Sequence, residues 1–97
     1  MPTHDEEPDF LRDWASLSNE QHERFLKTVK KLVHDARAGG LYRKSLRIKH
    51  VQGHAGIYEM TWADDGRATF EFGTSPHAGD VHVIWRRIGS HDILKAP

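Results

Sequence analysis

Apolar residues recur along this chain with two periods, and the change from one to the other divides it. Phe10, Trp14 and Leu17 are spaced by four and three, which predicts a short helix starting near Asp9, a residue able to cap it. In "SLSNEQHERFLKTVKKLVHDARAGG", Ser18 followed three residues later by Gln21 makes a capping-box pattern. Phe25, Val29, Leu32 and Val33 then mark one face of a second, longer helix, which Gly39 and Gly40 end. From Leu46 onward the period is two. "LRIKH" alternates Leu46 and Ile48 with basic residues, and "IYEMTW" sets Tyr58, Met60 and Trp62 against Ile57, Glu59 and Thr61, so both predict strands. "ADDG" signals a turn. After it, "RATFEF" places Ala68, Phe70 and Phe72 on one face and Arg67, Thr69 and Glu71 on the other, completing the clearest hairpin. "GTSPHAGD" supplies a second, looser turn before "VHVIWRRI", a bulky segment that predicts a largely buried strand.

The predicted fold class is α+β: an N-terminal two-helix hairpin packed on a small curved, mostly antiparallel β-sheet of three or four strands. Residues 1–8 carry no element in this reading and form a flexible N-terminal segment, with residues 9–97 a single domain. Antiparallel pairing has a functional consequence. The end of the strand holding Trp62, the start of the strand holding Arg67 and the end of the last strand fall at one end of the sheet. Thr61, Arg67, Arg87 and His91 are therefore expected as neighbours. Arg86 and Arg87, being adjacent in a strand, are expected on opposite faces.

Ninety-seven residues support one core. Basic and acidic residues number 14 each, so a nucleic-acid contact must come from a local patch rather than from excess charge. The one basic cluster is "YRKSLRIKH", with Arg43, Lys44, Arg47, Lys49 and His50 in nine positions. The absence of cysteine removes disulfides, thiol catalysis and cysteine-zinc sites, which fits a reducing cytoplasm. "MPTHDEEPDF" is acidic and has no apolar run, so neither a signal peptide nor a membrane anchor is expected. Among eight histidines, His50 and His54 are four apart, but the glycine between them argues against the helix that such a ligand pair needs. No metal or other cofactor is expected.

These segments resemble the RelE/ParE superfamily of type II toxin-antitoxin toxins. "FLRDWASLSNEQHERFLKTVKKL" is similar to that family's helical hairpin, "GIYEMTWADDGRATFEF" to its central β-hairpin with an arginine opening the second arm, and "VHVIWRRIGSHDIL" to its final strand and the turn after it. The similarity runs over residues 10–94. It implies a toxin neutralised by a cognate antitoxin protein. In the RelE-like branch the toxin cuts messenger RNA on the ribosome without a metal; in the ParE-like branch it poisons DNA gyrase. A non-catalytic toxin-fold binding protein is a third alternative, consistent with the neutral net charge. Arg67 matches the family arginine that contacts the scissile phosphate, and His91 the position of an arginine or histidine tied to phosphate stabilisation or leaving-group protonation. Glu59 and Thr61 stand where the RNA-cleaving form has two lysines, and the C-terminal tyrosine of that branch has no counterpart.

Metal-free RNA cleavage needs a proton acceptor for the 2′-hydroxyl, cations around the phosphorane and a proton donor for the departing 5′-oxygen. The candidates are His91 as acid or base, Arg67 with Arg87 for charge stabilisation, and Glu59 as a base. Arg43, Lys44, Arg47 and Lys49 are candidates for RNA contact. Each also has an ordinary structural role open to it. Arg67 can be a solvated residue after a turn, His91 a turn residue beside Asp92, Glu59 a strand carboxylate paired across to a base, and the 43–49 cluster a charged strand edge.

Overall fold

The structure, a computed structural model, describes residues 3–74 and 80–97. Its elements in chain order are β1 (Thr3–Glu6), α1 (Pro8–Ala15), α2 (Asn19–Arg37), a 3-10 turn (Lys44–Leu46), β2 (Lys49–His50), β3 (Tyr58–Thr61), β4 (Gly66–Gly73), β5 (His82–Ser90) and a 3-10 helix (His91–Lys95). The sheet order is β1-β5-β4-β3-β2, antiparallel throughout except that β1 runs parallel to β5.

Both predicted helices form. Pro8 opens α1 with its fixed φ, and Glu7 at the N-cap makes no side-chain capping bond, so Asp9 lies inside the first turn rather than at the cap. The α2 capping box is complete: Ser18 Oγ accepts from Gln21 N at 3.1 Å, while Gln21 Oε1 accepts from Ser18 N at 2.8 Å. At the other end, Gly39 and Gly40 take φ of 113° and 81°, a region that side chains with a Cβ avoid. Phe10 of α1 and Phe25 and Leu32 of α2 bury against Met60, Trp62, Ala68, Phe70, Trp85 and Ile88 of the sheet. Each such burial contributes about 1.5–3 kcal/mol.

The sheet corrects the sequence reading in four places. Residues 3–6, given no element by pattern, form β1, because parallel pairing with β5 supplies the hydrogen bonds that a short acidic segment could not find alone. "LRIKH" is not one strand: Leu46 closes a 3-10 turn, Arg47 is left-handed at φ 49°, and only Lys49–His50 pairs with β3. Five strands result. Finally, Arg86 and Arg87 do not diverge. Thr69 pairs with Arg87 and Phe70 with Trp85, which leaves Arg86 as an extra residue in a β-bulge. Arg86 Nε donates to Pro97 O and Arg87 Nη1 to Ala96 O, each at 3.1 Å, so both reach the same C-terminal turn.

That turn explains why Thr69, predicted on the solvent face, is fully buried. Its Oγ1 donates to Pro97 O at 3.1 Å, and Ile93 packs against Gly89 on the same side. Phe72, expected with the core residues, is instead 41% exposed near the far end of β4. Residues 75–79 of the looser turn read over 73–80 lie outside the described residues.

Candidate functional site

Strand register brings together the sheet end that hairpin pairing predicted. Thr61 pairs with Arg67, Arg67 with Gly89, and Gly66 with Ser90. The connecting turn is tight: Gly66 N donates to Ala63 O at 3.0 Å and Trp62 N to Gly66 O at 3.1 Å. Gly66 is required here by space, since a Cβ would lie 2.7 Å from the Trp62 ring and 2.8 Å from Ala63 Cβ. The indole of Trp62 thus braces the turn, although its buried Nε1 has no hydrogen-bond partner among the described residues.

Arg67 is half-buried at the base of this turn. Its Nη1 donates to Gly66 O at 3.0 Å and Asp64 O at 3.3 Å, so backbone carbonyls, with no carboxylate among them, hold the guanidinium. A guanidinium held in that way keeps its full charge available to an incoming anion. His91, the first residue after β5, has a side chain 62% exposed, with Nδ1 3.8 Å from Asp65 of the turn and 4.0 Å from Asp92. Those distances are too long for hydrogen bonds, so the imidazole stands open beside the Arg67 turn.

The other expected site residues are committed elsewhere. Arg87 donates to both Asp13 oxygens, at 2.6 Å and 3.2 Å, and Asp13 also accepts from Ile88 N at 3.2 Å. The Asp13 hydrogen bond pushes the Arg87 pKa further up, against the opposing effect of burial. Arg87 therefore ties α1 to β5 and to the C-terminal turn, and is not free to join Arg67. Glu59 is buried with Lys49 Nζ at 3.8 Å, the cross-strand partner that a strand carboxylate ordinarily takes. Arg43 clasps Asp35 of α2 through Nε at 2.9 Å, Nη2 at 2.8 Å and its own backbone N at 2.9 Å. The Arg43 side-chain bonds hold the Asp35 carboxyl well below the usual carboxylate range. Of the basic cluster, Lys44, Arg47 and Lys49 are exposed. Arg47 and Lys49 do not share a strand face, since Arg47 lies outside the strand.

Two clefts flank the turn. One, of about 600 Å³, runs between the start of α2 and the 63–66 turn, with Glu20, Asp64 and Asp65 at its rim. The other, of about 360 Å³, lies between the middle of α2, the 3-10 turn and the end of β3, and gathers Thr28, Lys31, Ser45, Arg47, Thr61 and Arg67. Lys31 and Thr28 were not among the sequence candidates. Their spacing of three places them on one flank of α2, but that helix carries three lysines, Lys27, Lys30 and Lys31, and nothing in the pattern selects one. Among the described residues no group of three or more histidines, aspartates or glutamates is placed to hold a metal ion. No described helix is long and apolar enough to cross a membrane.

No protein-family model matches the chain, and no curated protein matches it by sequence. Solved structures match it by shape. The RelB-RelE antitoxin-toxin complex from Methanococcus jannaschii covers 94% of this chain and 94% of its own at 16% identity and a TM-score of 0.58. The E. coli DinJ-YafQ complex covers 97% and 98% at 12% identity and a TM-score of 0.63. The YoeB/ParE toxin from Agrobacterium tumefaciens covers 92% and 98% at 11% identity and a TM-score of 0.64. The two helices on a mostly antiparallel five-stranded sheet are thus a fold shared with RelE, YafQ and YoeB, as the resemblance over residues 10–94 implied.

Proposed function

We propose that this chain is the toxin of a type II toxin-antitoxin system and acts as a metal-free endoribonuclease on ribosome-bound messenger RNA. The observation that carries the reading is the pairing, at one sheet end, of a guanidinium without a carboxylate partner, Arg67, with an open imidazole, His91. Arg67 stabilises the phosphorane, and His91 passes a proton to the departing 5′-oxygen. Arg87 acts through position: by anchoring the end of β5 to Asp13 it fixes the turn that presents His91. Glu59 enters only as the buried partner of Lys49, so the ribosome-bound RNA complex must supply the group that takes the 2′-hydroxyl proton. Lys44, Arg47 and Lys49 offer exposed cations for RNA phosphates. An antitoxin partner is supported by the likeness to toxins solved in complex with theirs.

Primer extension on translated messages, minutes after inducing the chain in a bacterial host without an antitoxin, tests this. Codon-phased cuts are expected. The engagement of Glu59 with Lys49 also favours a second reading, gyrase inhibition without RNA cleavage. Intact messages together with accumulated gyrase-cleaved DNA would establish that reading instead.

A further inference from the structure

Within the ribonuclease reading, we propose that the cleft beside Arg67 is a second phosphate subsite. There Lys31 and Arg47 grip a backbone phosphate of the single-stranded RNA next to the one at Arg67. β2 begins only opposite Glu59, so Met60 and Thr61 of β3 have no strand on that side, and the cleft opens along this free edge. Three cations from three separate elements line it, against one carboxylate, Asp64.

Among the described residues Arg43, Arg86 and Arg87 each reach a carboxylate, at 2.8 Å, 2.7 Å and 2.6 Å, whereas Lys31, Arg47 and Arg67 form no ion pair. Like charges gathered without counter-charge oppose folding, which an anionic ligand would offset. Arg47 adds an independent sign. It is the one described residue other than glycine with positive φ, drawn to 49° as its N–H closes the 3-10 turn on Lys44 O at 3.0 Å. Glycine fits that conformation with less strain, so an arginine kept there points to use of its side chain.

The chemistry of the lining favours RNA over an acidic peptide. Ser45 and Thr61 offer hydroxyls beside the cations, the combination that meets phosphate oxygens. The large apolar residues at the cleft, Leu46 and Trp62, are buried and give a peptide no anchor.

The test is fluorescence anisotropy of a labelled 2′-O-methyl oligoribonucleotide, which cannot be cleaved, titrated with the full chain across a range of salt. Lys31→Ala and Arg47→Gly are each expected to weaken binding about tenfold. Each should also lower the slope of log affinity against log salt by about 0.7, one phosphate contact on a single strand. Lys27→Ala, an exposed α2 lysine outside the cleft, should change affinity by less than about twofold. The proposal is overturned if the wild-type chain does not bind the oligonucleotide, if the two variants match wild type, or if Lys27→Ala loses as much as they do. It is also overturned if an oligoglutamate displaces the RNA at equal or lower concentration. Message cleavage measured alongside separates the two readings. Binding that needs Lys31 and Arg47 without any cleavage removes the nuclease and keeps the phosphate site. Cleavage with binding indifferent to both residues removes only the subsite.

Discussion

Arg67 and Arg87 stand on adjacent strands, two register pairs apart and so on the same face, and have opposite surroundings. Arg87 has Asp13 across two hydrogen bonds and is bound into the fold; among the described residues Arg67 has only turn carbonyls as partners, and it faces an open cleft. The same contrast recurs four residues apart in the basic stretch, where Arg43 makes three bonds to Asp35 and Arg47 makes none to a carboxylate among the described residues. A net charge of zero conceals this division. Carboxylates sit against the arginines that join elements, while Lys31, Arg47 and Arg67, which form no ion pair among the described residues, meet in the cleft where the sheet edge opens. What separates a bound arginine from an open one here is the carboxylate that tertiary packing brings within reach, since strand position and residue type are alike.

The comparison breaks most directly if the open pair does nothing. Replacing both Arg67 and His91 with alanine is expected to cut message cleavage by about a thousandfold, with the melting temperature almost unchanged. Arg67 pairs with no carboxylate among the described residues, and the exposed His91 only reaches the exposed Asp65 and Asp92 at 3.8 Å and 4.0 Å, contacts of little worth to stability. A folded double variant as toxic as wild type would refute the assignment. Arg87→Ala should do the reverse. It strands the Asp13 carboxylate, whose side chain is 13% exposed, at a cost of about 3 kcal/mol, lowering the melting temperature by roughly 15 °C. Lost cleavage at unchanged stability would put Arg87 in the site after all. Arg87→Lys should recover little of the lost stability, because an ammonium cannot span both oxygens of Asp13.

Periodicity made the helices legible, and turn chemistry the central hairpin, because α2 carries its own cap signals and the 63–66 turn its own glycine. The expectation that Thr61, Arg67 and His91 share a sheet end followed from antiparallel pairing alone. Strand alternation misled where register is irregular: the bulge at Arg86 turns two adjacent arginines toward one C-terminal turn, and that turn buries Thr69. β1 was illegible, since its pairing with β5 joins residues about 80 positions apart and the segment has no apolar alternation. Lys31 was missed for a related reason. Its distinction among the α2 lysines arises only when Arg47 and Arg67 fold next to it.

Acid should act on the paired side of the comparison. The folded pKa of Asp35 is held below its unfolded value, so the unfolded chain binds the extra proton first as pH falls. The Asp35–Arg43 clasp therefore contributes its full stability above the ordinary carboxylate range, about pH 4, and loses it as the pH drops through that range toward the folded value. The melting-temperature gap between wild type and Asp35→Asn should be constant near neutrality and close progressively below about pH 4. A gap that persists unchanged into strong acid would show that the clasp stabilises by packing rather than by charge.

The smallest expected effect sharpens the open side. If Arg47 is retained for its side chain and not for its backbone, the fold should tolerate its loss to the one residue that suits φ 49°. Arg47→Gly relieves the left-handed strain but makes the unfolded chain more flexible, and the two effects nearly cancel. Its stability should stay within about 1 kcal/mol of wild type. Arg47→Ala keeps the strain and loses the charge, so it should melt below Arg47→Gly. That ordering is unusual, since glycine seldom outperforms alanine where φ is negative. If instead Arg47→Gly melts well below both, the guanidinium is making contacts that hold the 3-10 turn in place. Arg47 would then belong with Arg43 and Arg87, and the division between bound and open cations would have to be redrawn around Lys31 and Arg67 alone.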